Sequence, residues 1–298
     1  MVLREPISTT YHRQHNIKKT YPFLTNTTAK PRHPSYAITT HPDHQLFTPV
    51  MKLINTTTLQ ITEFFDRNVP PYAILSHTWI TDQEVTYQEL LASTATHKTG
   101  YRKIQQCCAQ ALTDNLHWAW VDTCCIDKSS SAELTESINS MFRYYAEAQI
   151  CYAYLADVQE SGDMVVLEDA LEQSRWFTRG WTLQELLAPQ KLLFYSRDWK
   201  ALGGREKWRH HIAHITKIHE EALRGGAVAC REFSIAQKMS WASGRQSTRD
   251  EDNAYSLLGL FDVQMPLLYG EGTKAFIRLQ EEIMKSSDDQ SIFAWEYD

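Results

Sequence analysis

From Met51 onward the chain alternates between short unbroken apolar runs and stretches in which apolar residues recur every third or fourth position. Tyr72-Ala73-Ile74-Leu75-Ser76 follows two prolines and predicts a buried strand. Tyr101 to Leu112 has helical spacing, and His117-Trp118-Ala119-Trp120-Val121-Asp122 predicts a second strand with a carboxylate at its C-terminal end. Ser131-Ala132-Glu133-Leu134 opens a helix running to Ala148, with Ile138, Met141, Phe142 and Tyr145 on one face. Ile150 to Leu155 is a third strand, Trp181 to Ala188 a short helix stopped by Pro189, and Leu192 to Tyr195 a fourth strand. Alternation of this kind implies an α/β fold, an open and mostly parallel sheet covered by helices on both faces.

Beyond about residue 200 the spacing turns helical, over 205–217, 234–242, 249–260 and 273–285, and Ser291 to Trp295 predicts a last short strand returning to the sheet. No internal repeat is visible. The chain therefore divides into an α/β core over about 51–200 and a mainly helical C-terminal subdomain over about 201–298. Residues 1–50 have no apolar periodicity and are rich in His, Pro and Thr. They predict a disordered basic leader; a mitochondrial transit segment, or an upstream extension of a chain whose working start is Met51, are the other readings.

Charge sharpens this division. The first 50 residues hold six Lys/Arg against two acids, which leaves 24 basic and 34 acidic side chains to the rest of the 298 residues. So acidic a body lacks the basic footprint that nucleic-acid binding needs. Mean hydropathy is −0.44, and no apolar run approaches the ~18 residues of a spanning helix, so no membrane span is expected. Only 11 glycines are present and neither standard glycine-rich phosphate cradle occurs. Six cysteines include two adjacent pairs, 107–108 and 124–125, which suit neither a disulfide framework nor a zinc knuckle. The N-terminus has no secretory apolar stretch. A reduced, cytoplasmic protein is expected.

In an open parallel sheet, ligands bind beyond the carboxyl ends of the strands. Three polar and aromatic segments arrive there: Ser76-His77-Thr78-Trp79, Asp122-Thr123-Cys124-Cys125-Ile126-Asp127-Lys128, and Ser174 through Leu186. With Pro70 to Leu75, Trp120-Val121 and Arg249-Asp250-Glu251-Asp252-Asn253-Ala254-Tyr255, these segments resemble the fungal heterokaryon incompatibility (HET) domain, over about Met51 to Gly272. One departure is Ile80, where the family commonly has glycine after the tryptophan. The resemblance implies a fungal protein of non-self recognition whose domain triggers cell death after incompatible cells fuse. It also implies self-association, with nucleotide-binding immune-receptor-type proteins as partners.

The HET domain is in turn distantly similar to the TIR domain, a flavodoxin-like fold, some members of which cleave NAD at the nicotinamide–ribose bond with a helical glutamate. Ser174-Arg175-Trp176 and Trp181-x-Leu183-x-Glu185-Leu186 resemble the tryptophan–leucine–glutamate stretch of plant TIR domains, and the carry-over points to Glu185 as catalytic, with NAD as substrate and no cofactor. Loss of nicotinamide passes through an oxocarbenium-like ribose, which a carboxylate stabilises. The candidate substrate-binding residues are Ser76, His77, Trp79, Asp122, Arg175, Trp176, Arg179 and Trp181. The tryptophans would stack on a base or the nicotinamide, and the arginines would pair with the pyrophosphate.

Each residue also has a plainer reading. Glu185 is equally a helix-surface carboxylate or a partner of one of those arginines. Asp122 can bind a ribose hydroxyl or cap the next helix. Ser76 and His77 are adjacent on a strand, so they face opposite ways and cannot form a nucleophile–base pair; His77 reads as a hydrogen-bonded structural residue. Cys124 or Cys125 with His77 would make a thiol enzyme, against their role as small apolar filler. His210, His211, His214 and His219 read as a solvated helix face rather than a metal site. Arg249 or Glu251 would tie the helical part to the sheet, and Gly270-Glu271-Gly272 is a weak candidate for holding an anion. A non-enzymatic module that signals by self-association and partner binding is the alternative to the enzyme.

Overall fold

The central apolar runs do form strands. The computed structural model describes residues 50–65 and 68–294, so residues 1–49 of the leader and Trp295 lie outside the described residues. The strands are β1 (Val50–Asn55), β2 (Ile61–Phe65), β3 (Ala73–His77), β4 (Trp118–Trp120), β5 (Ile150–Tyr154), β6 (Leu192–Tyr195) and β7 (Ala201–Gly204). They make one sheet in the order β2-β1-β4-β3-β5-β6-β7. The inner four, β4-β3-β5-β6, run parallel. β1 is antiparallel to β2 and β4, and β7 is antiparallel to β6. Counted along the chain, the parallel strands stand in the order 2-1-3-4, that of a flavodoxin-like doubly wound sheet.

The helices are α1 (Tyr87–Ala92), α2 (Thr99–Thr113), α3 (Ser131–Glu147), α4 (Met164–Glu172), α5 (Thr182–Leu187), α6 (Arg205–Thr216), α7 (Gly226–Ala229), α8 (Ile235–Ser243), α9 (Asp252–Tyr255) and α10 (Lys274–Ser286). β3 and β5 are buried at every position, the mark of strands covered on both faces. α2 turns Ile104, Cys107, Cys108 and Ala111 inward, an i, i+3, i+4, i+7 stripe. α3 buries Ile138, Met141 and Tyr145, and α5 is buried along its whole length. His77 reaches Lys103 of α2 while its neighbour Ser76 reaches Glu185 of α5. Alternation along β3 therefore sends one side chain to each covered face.

Two expectations are corrected. The described part of the strand predicted over Ser291 to Trp295 is no strand: Gln290–Phe293 is a 3₁₀ turn. Asp289 Oδ2 accepts from the Ile235 amide and Ser291 Oγ from the Ala236 amide, so the segment satisfies free donors at the start of α8. The predicted helix over 249–260 shortens to α9, after which tight turns bury Leu257, Leu258 and Leu260. Gly259 allows this by lying against α3, where an added Cβ would sit 2.0 Å from Phe142 Cβ. Among the described residues, no helix is long and apolar enough to cross a membrane. All six cysteines are free and buried.

Candidate functional site

A cavity of about 440 Å³ opens at the carboxyl edge of β3 and β4. His77, Thr78 and Trp79 enter it from the end of β3, and Asp122, Ile126 and Lys128 from the loop after β4. Leu134, Ile138 and Met141 of α3 supply an apolar wall, and Arg179, Trp181, Thr182 and Glu185 line it around α5. Thr248, Arg249, Asp252 and Tyr269 complete the lining from the helical part of the chain. This volume is that of an ordinary small-molecule site. The end of β5 is plugged instead: Asp157 accepts from Ser174 Oγ at 2.8 Å and from the Arg175 amide at 2.9 Å.

Glu185 occupies the inner end. It is buried because α5 is buried, and its Oε2 accepts from Ser76 Oγ at 2.5 Å. Ser76 Oγ in turn accepts from Trp176 Nε1 at 2.8 Å, so the indole fixes the hydroxyl that fixes the carboxyl. Burial pushes Glu185 up to about 8, assisted by the charge of Asp122 and opposed by hydrogen bonds from Ser76 and Tyr145 and by the Arg245 charge. At neutral pH Glu185 therefore holds a proton.

Asp122 behaves oppositely. Burial raises it, but the hydrogen bond from His77, the Lys128 charge and the Trp79 indole together hold it below the ordinary carboxylate value. His77 Nε2 lies 3.0 Å from Asp122 Oδ1, and Trp79 Nε1 donates to Oδ2 at 2.9 Å. Lys103 Nζ lies 3.1 Å from His77 Nδ1 and pairs with Glu84 and the Thr78 carbonyl. An ammonium has only protons to give, so Nδ1 accepts and Nε2–H donates to Asp122. Lys128 Nζ sits 3.9 Å over the Trp79 ring. One cavity thus holds a neutral carboxyl and an ionised one, a pairing typical of acid–base sites.

The outer wall joins the two parts of the chain. The Gly180 amide donates to the Gln246 carbonyl at 2.9 Å and the Gln246 amide to the Thr178 carbonyl at 2.7 Å, and Arg179 Nη2 donates to Thr248 Oγ1 at 3.1 Å. The Arg249 guanidinium stacks on Tyr269 at 4.6 Å. Asp252 accepts from Tyr269 Oη at 3.0 Å, and burial raises its pKa.

Of the residues singled out in the sequence, His77, Trp79, Asp122, Arg179, Trp181 and Glu185 share the cavity, and Ser76 stands behind Glu185. Trp79 is 50% exposed at the mouth. Trp176 and Arg175 are not in the lining: Trp176 is fully buried against Phe177 and Phe194, and Arg175, 64% exposed, leans toward Asp157. Asp122 caps no helix; Ser130 caps α3. Cys124 is fully buried with its thiol pushed well up by burial, so it presents no thiolate to His77. Among the described residues no cluster could hold a metal, and His210 pairs with Glu220 on the surface. Gly270 and Gly272 do hold an anion, the chain's own Glu251 carboxylate, whose Oε1 accepts from both amides at 2.7 and 3.0 Å. Ile80 adopts no left-handed backbone, so the first loop does without the family's glycine. Lys103, Glu84 and Tyr269 went unnoticed in the sequence, and Lys128 and Asp252 were read only as members of their segments, with no role of their own. For Tyr269 nothing but proximity in the fold marks it.

Residues 72–169 match the model of the heterokaryon incompatibility protein (HET) family, and residues 274–298 match a domain of unknown function, DUF8212. The chain is 49% identical over 223 residues to vegetative incompatibility protein HET-E-1 of Podospora anserina. That alignment covers 73% of this chain and 16% of the relative. No solved structure matches.

Proposed function

We propose that this chain, which carries a HET domain, is a cytoplasmic effector of fungal vegetative incompatibility that kills by cleaving NAD at the nicotinamide–ribose bond. The observation that carries the reading is Glu185, buried and held by Ser76 at the inner end of a cavity with an aromatic mouth. A pyridinium entering beside Glu185 favours the ionised carboxyl, whose proton leaves to solvent. The C1′–N bond then breaks with its electron pair passing to the ring nitrogen, and neutral nicotinamide departs. The carboxylate faces the oxocarbenium ribose, and water adds to C1′ as Glu185 takes its proton, giving ADP-ribose and the neutral carboxyl again. Trp79 and Trp181 offer ring faces to the bases, and Arg179 a guanidinium to the pyrophosphate.

The test is nicotinamide release by the full chain at rising protein concentration. Glu185→Gln keeps the volume and loses the charge, and should lower kcat by about 100-fold or more. Only the ionised fraction is competent, so wild-type kcat/KM should climb about tenfold per pH unit below 8 and level off above it. Killing by the wild type with cellular NAD undiminished sinks the reading. The second reading, a non-enzymatic module acting through self-association and nucleotide-binding partners, is favoured by Met164, Val165 and Val166, three consecutive exposed apolar residues opening α4. It expects Glu185→Gln to kill as well as the wild type.

A further inference from the structure

A second cavity, about 270 Å³, shares no lining residue with the first but backs onto the same segments: it is lined by Gly180, between Arg179 and Trp181, and by Asn253, next to Asp252. Arg245 lines it, and no carboxylate does. The Arg245 guanidinium donates through Nη1 to the Arg179 carbonyl at 2.9 Å and to Thr182 Oγ1 at 3.0 Å, and through Nε to the Trp241 carbonyl. Its Nη2 is buried without any hydrogen-bond partner among the described residues. Ser247 Oγ, packed against Gly180, is likewise buried and unpartnered. A guanidinium stays charged in a protein, and a buried charge without a counterion is costly. Among the described residues the carboxyl whose field it feels is Glu185, which is hydrogen-bonded to Ser76 and not to the guanidinium, so no carboxylate meets Arg245 directly. Leu257 and Phe276 give the same cavity an apolar floor, and its volume exceeds that of a bare inorganic anion.

We propose that this cavity binds a small organic anion, a carboxylate or phosphate ester, whose head pairs with Arg245 and whose apolar part lies on Leu257 and Phe276. Arg245 braces the Arg179 carbonyl and the Thr182 hydroxyl, both in the wall of the first cavity, so the occupant grips a group that also supports that wall.

The experiment is calorimetric titration and thermal denaturation of the full chain with benzoate and with phenyl phosphate, and with benzyl alcohol as the neutral isostere. Saturable binding of one anion per chain, with a rise in Tm of several degrees, is expected from at least one anion and not from the alcohol. Comparing the two anions tells whether the head is carboxylate or phosphate. Ser243 is exposed at the cavity and distant in role from Glu185, so Ser243→Glu supplies a tethered carboxylate. It should raise the unliganded Tm and weaken anion binding by about tenfold or more. Arg245→Met should abolish binding; where that variant fails to fold, Ser243→Glu decides. Equal binding of benzyl alcohol, unchanged anion affinity in Ser243→Glu, or no binding by the wild type overturns the proposal. None of these readouts depends on NAD turnover.

Discussion

Glu185 and Asp122 line one cavity, yet their surroundings drive their protonation in opposite directions. The difference is a matter of donors. Asp122 is met by an imidazole, an indole and a nearby ammonium, whereas Glu185 is met by two hydroxyls inside a buried helix. For Glu185 the linkage has a definite sign. Between pH 4.5 and about 8 the native state holds a proton that the unfolded chain releases, so this residue makes stability fall as pH rises through that window. Glu185→Gln removes the effect. Its stability relative to wild type, by urea denaturation, should therefore grow from pH 5 to pH 8.5 by something on the order of 3 kcal/mol. A constant difference across that range would mean Glu185 is ionised in the free protein. The family resemblance made Glu185 legible, and strand alternation correctly separated Ser76 from His77. Lys103 was not legible, because a lysine in a helical stretch reads as solvent-facing, and only partners 19 to 26 residues away keep it buried.

At the scale of elements, periodicity identified α2, α3, α6, α8 and α10 and every parallel strand, since each buries one face or both against a neighbour. It missed α1 and α4, short helices started by capping side chains, Thr86 and Asp163, rather than by an apolar stripe. It also misread the two segments that serve another element instead of the core. Asp289 and Ser291 complete α8, and Glu251 fills the Gly270–Gly272 turn. Such side-chain-to-backbone pairs join distant residues and leave no period behind. The close approach of Gly259 to α3 makes a sharp prediction. Gly259→Ala must push Phe142 or the turn aside, costing about 1–3 kcal/mol by denaturation and loosening the cavity wall that Ile138 and Met141 provide. Unchanged stability would show that α3 has room to shift.

Over the whole molecule, the parallel centre of the sheet followed from strand–helix alternation, while its antiparallel margins did not. β1 and β2 are joined by a tight turn in which Asn55 Oδ1 accepts from the Thr57 and Thr58 amides, a local device invisible to a search for strand–helix units. This hairpin covers the β4 edge, with Phe64 packed edge-on against Trp118 at 4.8 Å. A chain beginning at residue 68 would leave that edge open, so it should aggregate where one beginning at residue 50 does not, measured by light scattering at equal concentration. A monodisperse shorter chain with native circular dichroism would show the hairpin to be dispensable. About half of the cavity was legible: the stretches that end strands carry it, and strand ends can be found in a sequence. The remainder, Thr248, Asp252 and Tyr269, is brought in by long-range folding.

That lining runs from His77 to Tyr269, drawn from five separate stretches, with Arg249 stacked on Tyr269 and Arg179 tied to Thr248. Crossovers between related genes that fall inside this interval would join half-bowls whose walls had never been matched. Domain shuffling that keeps a working pocket must therefore move the interval as one block, so reassortment among longer proteins is free only outside it.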